Sequence, residues 1–384
     1  MRRPIIVHVI TRLIVGGAQL TTIEVCRGLA DAYDLRLVTG PELGTEGSLM
    51  QLAAEATTLE VLPELRRSIN PMSDVYATRA LRRLLRTIDP DIVHTHSSKA
   101  GVIGRAAARG SRAKIVHTVH GWGHTPDDAP TKRRVLVAAE RLMARGTDVL
   151  IAVSDDVRAE GIRQRIGRPG QYRVVPEHVS IEPVHPDFAT ARGEARASLG
   201  IEGDGPVVGW VGRLAPQKDP HTLVAAMTQI AAALPAARFE LIGDGPMRGE
   251  VEASVAEAGL TARVRFHGLR HDARSLYCAF DLVLHPSRWE GQPRVVQEAL
   301  AEGVPVVATE AAGVRQMIQD GVSGYAVALS DPQAMAKAAI DVLTDASMVA
   351  PLSRVALEQL YATSGADRAE AGHREIYREL LEQR

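Results

Sequence analysis

The sequence predicts an α/β protein of two domains, each built on a doubly wound parallel sheet with helices on both faces. Three observations predict it. Short apolar runs alternate with helical patterns along most of the chain. Prolines and glycines cluster once near the middle, from Pro176 to Pro206. A length of 384 residues exceeds one ordinary core and suits two.

Taken in order, Ile5–Ile10 reads as a buried strand, followed by the Gly16-Gly17 loop and a helix from about Ala18 to Ala32. His8 interrupts the first apolar run and Arg12 ends it, so the segment after Arg2 and Arg3 is read as a strand and not a signal peptide. Leu35–Val38, Ile92–Thr95, Ile115–Thr118 and Val149–Val153 are further strands, with helical patterns between most of them. The second half repeats the alternation through Val207–Val211, Phe239–Ile242, Val264–Phe266, Leu282–Leu284 and Pro305–Ala308. Such alternation gives parallel sheets covered on both faces, with ligands at the carboxyl ends of the strands. The boundary is placed at residues 185/186 within the Pro/Gly cluster, giving domains over 1–185 and 186–365. The remaining 366–384 read as an amphipathic helix returning to the first domain.

Composition is that of a water-soluble globular protein, 45% hydrophobic and 24% charged. Aromatics make up only 4%, so the cores rest on Ala, Val, Leu and Ile. Cys26 and Cys278 fit no metal framework and point to a reducing compartment. No stretch approaches the ~18 apolar residues of a membrane span. The expected location is therefore the cytoplasm, at most against the inner membrane face.

The net charge of −1 hides a split. Residues 1–186 hold 26 Lys/Arg against 20 Asp/Glu, and the rest 19 against 26. Part of the basic excess lies on Arg79–Arg86, amphipathic at helical spacing, which suits an anionic lipid surface as well as it suits an ordinary solvated face. Peripheral membrane contact through this domain is one reading left open beside the solvated face; a nucleic-acid partner is not expected.

Function is most legible at Ser287–Thr309. Glu290 and Glu298 stand eight positions apart, and Pro293 between them suits the first position of a helix. Glu290 then sits over the helix N-terminus and Glu298 about a turn further in. A helix N-terminus favours an anionic group such as phosphate, and the flanking carboxylates suit sugar hydroxyls. A metal is not expected. Asp89-Pro90-Asp91 precedes a strand and reads as a turn. His94, His96, His117, His120 and His124 lack the acidic or thiolate partners and the spacing of a zinc site.

These motifs resemble the retaining glycosyltransferases of family 4, whose GT-B fold sets two Rossmann-like domains across a cleft. The resemblance is carried by Glu290…Glu298 with Gly291, Ala299, Gly303 and Pro305-Val306-Val307, and by Gly212-Arg213-Leu214 with Lys218. Gly243-Asp244-Gly245-Pro246, Gly16-Gly17-Ala18, His94-Thr95-His96 with Lys99-Ala100-Gly101, and His117–Gly121 add to it. The N-terminal set looks most like the branch that builds bacterial surface polysaccharides and lipid-linked oligosaccharides.

The resemblance implies an acceptor-binding first domain and a nucleotide-sugar-binding second domain. It implies that Arg213 and Lys218 clamp the donor diphosphate, since two cations can stabilise a departing diphosphate without a metal. Glu298 would hold ribose hydroxyls, and Glu290 with Gly291, Gln292, Pro293, Arg294 and Val295 the donor sugar. Gly16 and Gly17 would let backbone approach the diphosphate, and His120 would sit beside the reacting carbon. Arg270 and Arg274 would contact the base; His94, His96, Lys99 and Arg105 would face the acceptor. The partners implied are a nucleoside-diphosphate sugar and a glycan or small-molecule acceptor, with no cofactor. Retention would proceed by front-face substitution, because no Asp or Glu is placed by motif as a nucleophile beneath the sugar. Nucleotide-sugar epimerases share the architecture, but would need acid/base residues on the sugar and no acceptor site.

Overall fold

The computed structural model describes residues 2–42, 46–125, 127–182 and 187–383, without the side chains of 346–351. The predicted boundary at 185/186, with Pro183 and Pro186, lies outside the described residues. The chain forms two compact units, Met1–His178 with Ser364–Arg384, and Val179–Thr363.

The first unit holds seven strands: β1 (Ile5–Ile10), β2 (Asp34–Thr39), β3 (Thr58–Val61), β4 (Ile92–His96), β5 (Lys114–Val119), β6 (Val149–Ala152) and β7 (Tyr172–Val174). They pair in parallel in the order β3-β2-β1-β4-β5-β6-β7. Every residue of β1 is buried, because helices cover both faces. Those helices are α1 (Gly17–Gly28), α2 (Met50–Ala56), α3 (Pro71–Ile88), α4 (Ser98–Ala108), α5 (Pro130–Ala144) and α6 (Asp155–Arg163). Asn70 starts α3: its side chain accepts from the N–H groups of Met72 and Ser73, and Pro71 fills the first turn, where no donor is needed. The chain's last helix, α14 (Ala366–Glu382), completes this unit, burying Ile376, Tyr377 and Leu380 against Val25, Cys26, Leu29 and Ile92.

The second unit holds six parallel strands: β8 (Val207–Val211), β9 (Arg238–Ile242), β10 (Val264–Gly268), β11 (Leu282–His285), β12 (Val306–Thr309) and β13 (Tyr325–Val327). Their order is β10-β9-β8-β11-β12-β13. Helices α7 (Phe188–Ser198), α8 (Pro220–Ala233), α9 (Arg248–Glu257), α10 (Ala273–Leu276), α11 (Arg294–Ala301), α12 (Pro332–Thr344) and α13 (Ala346–Thr363) accompany it. Asp219-Pro220 and Asp331-Pro332 repeat the capping pattern of α3 at α8 and α12. The predicted interior strands are all present. Four elements were not expected: β3, β7 and β13, each at a sheet edge, and α7, which occupies part of the Pro/Gly-rich stretch.

Candidate active site

In each sheet the strand order reverses once, between β1 and β4 and between β8 and β11. A crevice opens outside the carboxyl ends of the strands at such a point. In the second unit the two loops leaving that point carry Gly212–Lys218 and Pro286–Pro293. Glycine lets neighbouring loops nest there. A Cβ on Gly243, at φ +128°, would lie 1.8 Å from the Gly212 carbonyl oxygen, and one on Gly313 would lie 2.0 Å from that of Gly291. The Leu214 N–H donates to Asp244 O at 3.0 Å, which ties the loop after β8 to the loop after β9.

Lys218 closes a short 3-10 turn (Pro216–Lys218), and its Nζ donates to Glu290 Oε1 at 2.5 Å, with side chains 15% and 8% exposed. Gln217 zips the same two loops, donating through Nε2 to Trp289 O at 3.0 Å and lying 3.4 Å from Glu290 Oε2, while its own carbonyl accepts the Arg288 N–H. His285, fully buried at the end of β11, places Nε2 3.3 Å from Glu290 Oε1. Burial alone would raise the Glu290 carboxyl. The Lys218 charge and the His285 contact outweigh burial and hold it down at about 2. Burial pushes His285 below the ordinary imidazole value, despite Glu290, so it is a neutral ring.

Pro293 is the N-cap of α11, one position earlier than expected, and Gly291, Gln292 and Pro293 are buried between Glu290 and the helix. Glu298 accepts the Tyr277 hydroxyl at 3.1 Å and has Arg294 at 3.5 Å on the preceding turn. Val295 is half-buried beside them. Arg213 stands one glycine beyond β8 and is half-buried. The structure thus gathers Lys218, Glu290, Gln292, Pro293, Arg294, Val295 and Glu298 onto α11 and the two loops at one strand reversal.

The two arginines expected at a base pocket are engaged otherwise. Arg270 pairs with Asp272 and Ser198. Arg274 donates to the carbonyls of Glu298, Ser180 and Glu182, and pairs with Glu302 at 2.7 Å. It fastens the chain leaving the first unit to α11, a structural use of its charge.

In the first unit, Gly16 and Gly17 follow β1 at the reversal, with Gly16 capping α1. Its φ of −175° is open to any residue, and the nearest atoms an added Cβ would meet among the described residues belong to the movable Gln19 side chain. Among the described residues, no backbone atom close to that position demands glycine there. Lys99 pairs with Asp74 at 2.7 Å. Two expectations are corrected. His94 is fully buried, with Nδ1 2.6 Å from the Tyr377 hydroxyl and Nε2 2.7 Å from Thr118 Oγ1. Arg105, 2% exposed, bonds Glu140 Oε2 and Gly101 O. His94 faces inward because a parallel sheet covered on two sides buries the residues of both faces, and Arg105 because it lies on the face of α4 that meets Glu140 of α5, so neither side chain is available to an acceptor.

His96 and His120 belong to a hydrogen-bonded chain that the sequence did not reveal. Glu177 Oε1 lies 2.8 Å from His120 Nδ1, His120 Nε2 lies 3.1 Å from His96 Nδ1, and His96 Nε2 lies 2.9 Å from His8 Nδ1. The Tyr377 hydroxyl, 3.4 Å from His8 Nε2, joins His94 to the same chain. Both ring nitrogens of His120 are thus taken up inside the unit, and its side chain is 9% exposed. Burial pushes His8 down to about 3 and His373 to about 4, and His94, His96 and His117 well below the ordinary value. One nitrogen from each of His8, His94 and His96 falls within 4.8 Å of the others, a grouping a metal ion could use. Burial keeps the three rings neutral, and each already has hydrogen-bond partners: His8 and His96 bond each other, and His94 bonds Tyr377 and Thr118. Asp89 and Asp91 serve the turn before β4, with Asp89 at φ +49° paired to Arg112 and Asp91 capping the Ile5 N–H.

Sequence reasoning found the motif residues and missed their partners. Gln217 lies within the matched segment and was passed over; His285 reads as an ordinary strand end. Tyr277, Glu177 and Tyr377 are brought in only by folding.

Two family models match the chain. One, described as a glycosyl transferase 4-like domain, covers residues 16–178, and the other, glycosyl transferases group 1, covers residues 205–345. The chain is 28% identical over 346 residues to the UDP-Gal:alpha-D-GlcNAc-diphosphoundecaprenol alpha-1,3-galactosyltransferase of Escherichia coli, spanning 88% of each. It is 30% identical over 389 residues to the 2-deoxystreptamine N-acetyl-D-glucosaminyltransferase of Streptomyces fradiae, spanning 93% of this chain and 89% of that protein. Among solved structures, Anabaena HepE in complex with UDP and glucose is similar at a TM-score of 0.84 and 23% identity, over 98% of this chain and 100% of that one. WaaG, a glycosyltransferase involved in lipopolysaccharide biosynthesis, follows at 0.74 and 17%, over 98% and 99%. The two structural likenesses bear on the fold.

Proposed function

The chain belongs to the glycosyltransferases of the group 1 and 4-like families, with the GT-B fold, and from that premise we propose that it transfers a sugar from a nucleoside-diphosphate donor to a lipid-linked acceptor with retention of configuration. The observation that carries the donor half is the Lys218–Glu290 pair at the β8/β11 reversal, with Arg213 and Glu298 on the flanking elements. Lys218 and Arg213 supply positive charge where a leaving diphosphate develops negative charge. Glu290, ionised at any ordinary pH, accepts hydrogen bonds from sugar hydroxyls, and Glu298 from the ribose. Both acids position. The proton of the attacking hydroxyl goes to the departing phosphate oxygen as the new glycosidic bond forms on the same face.

This mechanism asks nothing of a metal. Transfer is expected to persist at full rate in excess EDTA; loss of activity restored by a divalent cation would refute that part. The donor is identified by incubating the protein with a panel of nucleotide sugars and following release of the nucleoside diphosphate. Production of an epimer without acceptor-dependent transfer would refute the reaction class.

A lipid-linked acceptor is supported by α3. Met72 and Tyr76 are 72% and 58% exposed, beside Ile69 at 74%, and Arg79, Arg83 and Arg86 continue the same solvent-facing stripe. Arg82 is turned inward onto the carbonyls of Ala106 and Ala107. An apolar end followed by three exposed guanidinium groups suits an anionic lipid surface. At about 1 kcal/mol per basic residue, replacing Arg79, Arg83 and Arg86 by Gln should lower binding to anionic vesicles roughly 100-fold. The E. coli relative named for a diphosphoundecaprenol acceptor points the same way. The S. fradiae relative, named for 2-deoxystreptamine, points to the rival, a soluble small-molecule acceptor. A protein that never sediments with anionic liposomes at low salt, yet glycosylates a soluble alcohol, would establish the rival. Among the described residues no helix is long and apolar enough to cross a membrane.

A further inference from the structure

We infer that His285 is a positioning residue for Glu290, bracing the loop carboxylate from the protein interior so that it keeps its aim while Lys218 engages phosphate. The inference rests on the donor reading above for what Glu290 and Lys218 contact.

Three observations carry it. The first is shared geometry. Glu290 Oε1 has Lys218 Nζ at 2.5 Å and His285 Nε2 at 3.3 Å, so one oxygen faces both groups. The second is inaccessibility. His285 is fully buried at the end of β11, behind Leu282, Val283 and Leu284, which are also fully buried. A ligand that draws Lys218 toward its phosphates cannot reach His285.

The third is cost. Neither ring nitrogen of His285 has an aligned hydrogen-bond partner among the described residues, an arrangement that buried polar groups rarely tolerate. Ser287 Oγ and both ends of the Gln297 amide are likewise buried and without a partner among the described residues. These groups fall in the one stretch that also carries Glu290 and Glu298. A phenylalanine would fill the end of an apolar strand at less cost, so stability alone does not account for an imidazole there.

The chemistry follows from the competition for Lys218. Once its ammonium is shared with a diphosphate, the Glu290 carboxylate loses part of its counter-charge and faces an anion. A neutral His285 with the proton on Nε2 supplies an N–H to Oε1 without adding a cation that would compete for the phosphate. The carboxylate then stays ionised and directed at the sugar.

The test is His285→Phe beside His285→Gln, whose amide restores an N–H. His285→Phe is expected to match or exceed the unsubstituted protein in thermal midpoint, to lower kcat about tenfold, and to leave the donor KM within about twofold. His285→Gln should recover most of that kcat. Unsubstituted kcat in His285→Phe would overturn the inference. So would a loss of kcat that tracks a lowered thermal midpoint in both variants.

A second readout does not depend on turnover. Two-bond 1H–15N spectra of the imidazoles, with His285 assigned by substitution, should show a neutral ring protonated at Nε2 whose shifts move in Glu290→Gln. An Nδ1–H tautomer, or a ring indifferent to Glu290→Gln, would overturn the inference. If no nucleotide sugar supports transfer by the unsubstituted protein, the donor reading fails and the ring spectra still decide whether His285 braces Glu290.

Discussion

Replacing Lys218 by Met is expected to lower kcat by about 100- to 1,000-fold, the usual loss when one preorganised charge aimed at a developing anion is removed. Lys218 is held in place before any ligand arrives, by Glu290 at 2.5 Å and a side chain only 15% exposed, so its charge needs no reorganisation as the phosphate departs. The same burial predicts a structural cost. Removing one partner of a largely buried ion pair leaves the other uncompensated, which destabilises by about 3 kcal/mol. Lys218→Met and Glu290→Gln should therefore each lower the unfolding free energy of the second unit, and the double variant should regain most of it while remaining inactive. Chemical denaturation together with steady-state transfer assays separates the two effects. Near-normal turnover in either single variant would remove these residues from the donor site.

The first unit should lose stability steeply as pH falls from 6.5 to 5. His8, His94, His96, His117 and His373 are buried in it, and burial lowers each below the ordinary imidazole value, to about 3 for His8 and about 4 for His373. In that window the unfolded chain takes up protons that the folded unit refuses. Stability is thus intact above about 6.5 and falls as pH falls below it. Each such group contributes about 1.4 kcal/mol per pH unit, and a few acting together rival the whole ~5–15 kcal/mol of a domain. His178 runs the other way: burial would lower it, but hydrogen bonds to Glu24 and Glu370 outweigh that and raise it. One group does not offset five. The thermal midpoint between pH 7.5 and 5 checks the expectation, and a flat profile would contradict it. His373→Phe, which removes one titrating ring, should make the profile shallower.

The ten predicted strands were legible because helices cover both faces of each sheet, so strand interiors are mainly apolar runs such as Ile5–Ile10, interrupted only by His8. The three unpredicted strands sit at edges, where one side lacks a neighbour. Thr58–Val61 has no buried residue, and Tyr172–Val174 has one. Helix α7 lay hidden among prolines that read as connection. The glutamate motif was legible because its meaning is local: a loop, a cap and one turn of helix bring Glu290 and Glu298 together. His94 and Arg105 were misjudged for the opposite reason. Whether a polar residue of a strand or helix is buried depends on what packs against it: for Arg105 that is Glu140 of α5, and for His94 it is Tyr377, 283 positions away.

That separation bears on how the chain reaches its fold. The second unit is continuous in sequence, whereas the first is assembled from both ends, residues 1–178 and the final helix. During synthesis from the N-terminus, strands β1–β7 emerge long before Tyr377 exists to satisfy His94 and seal Val25, Cys26 and Ile92. The first-made half is therefore the last to be finished. Until the C-terminal helix docks, an apolar face and a row of imidazoles remain uncovered, and the second unit can fold while they wait.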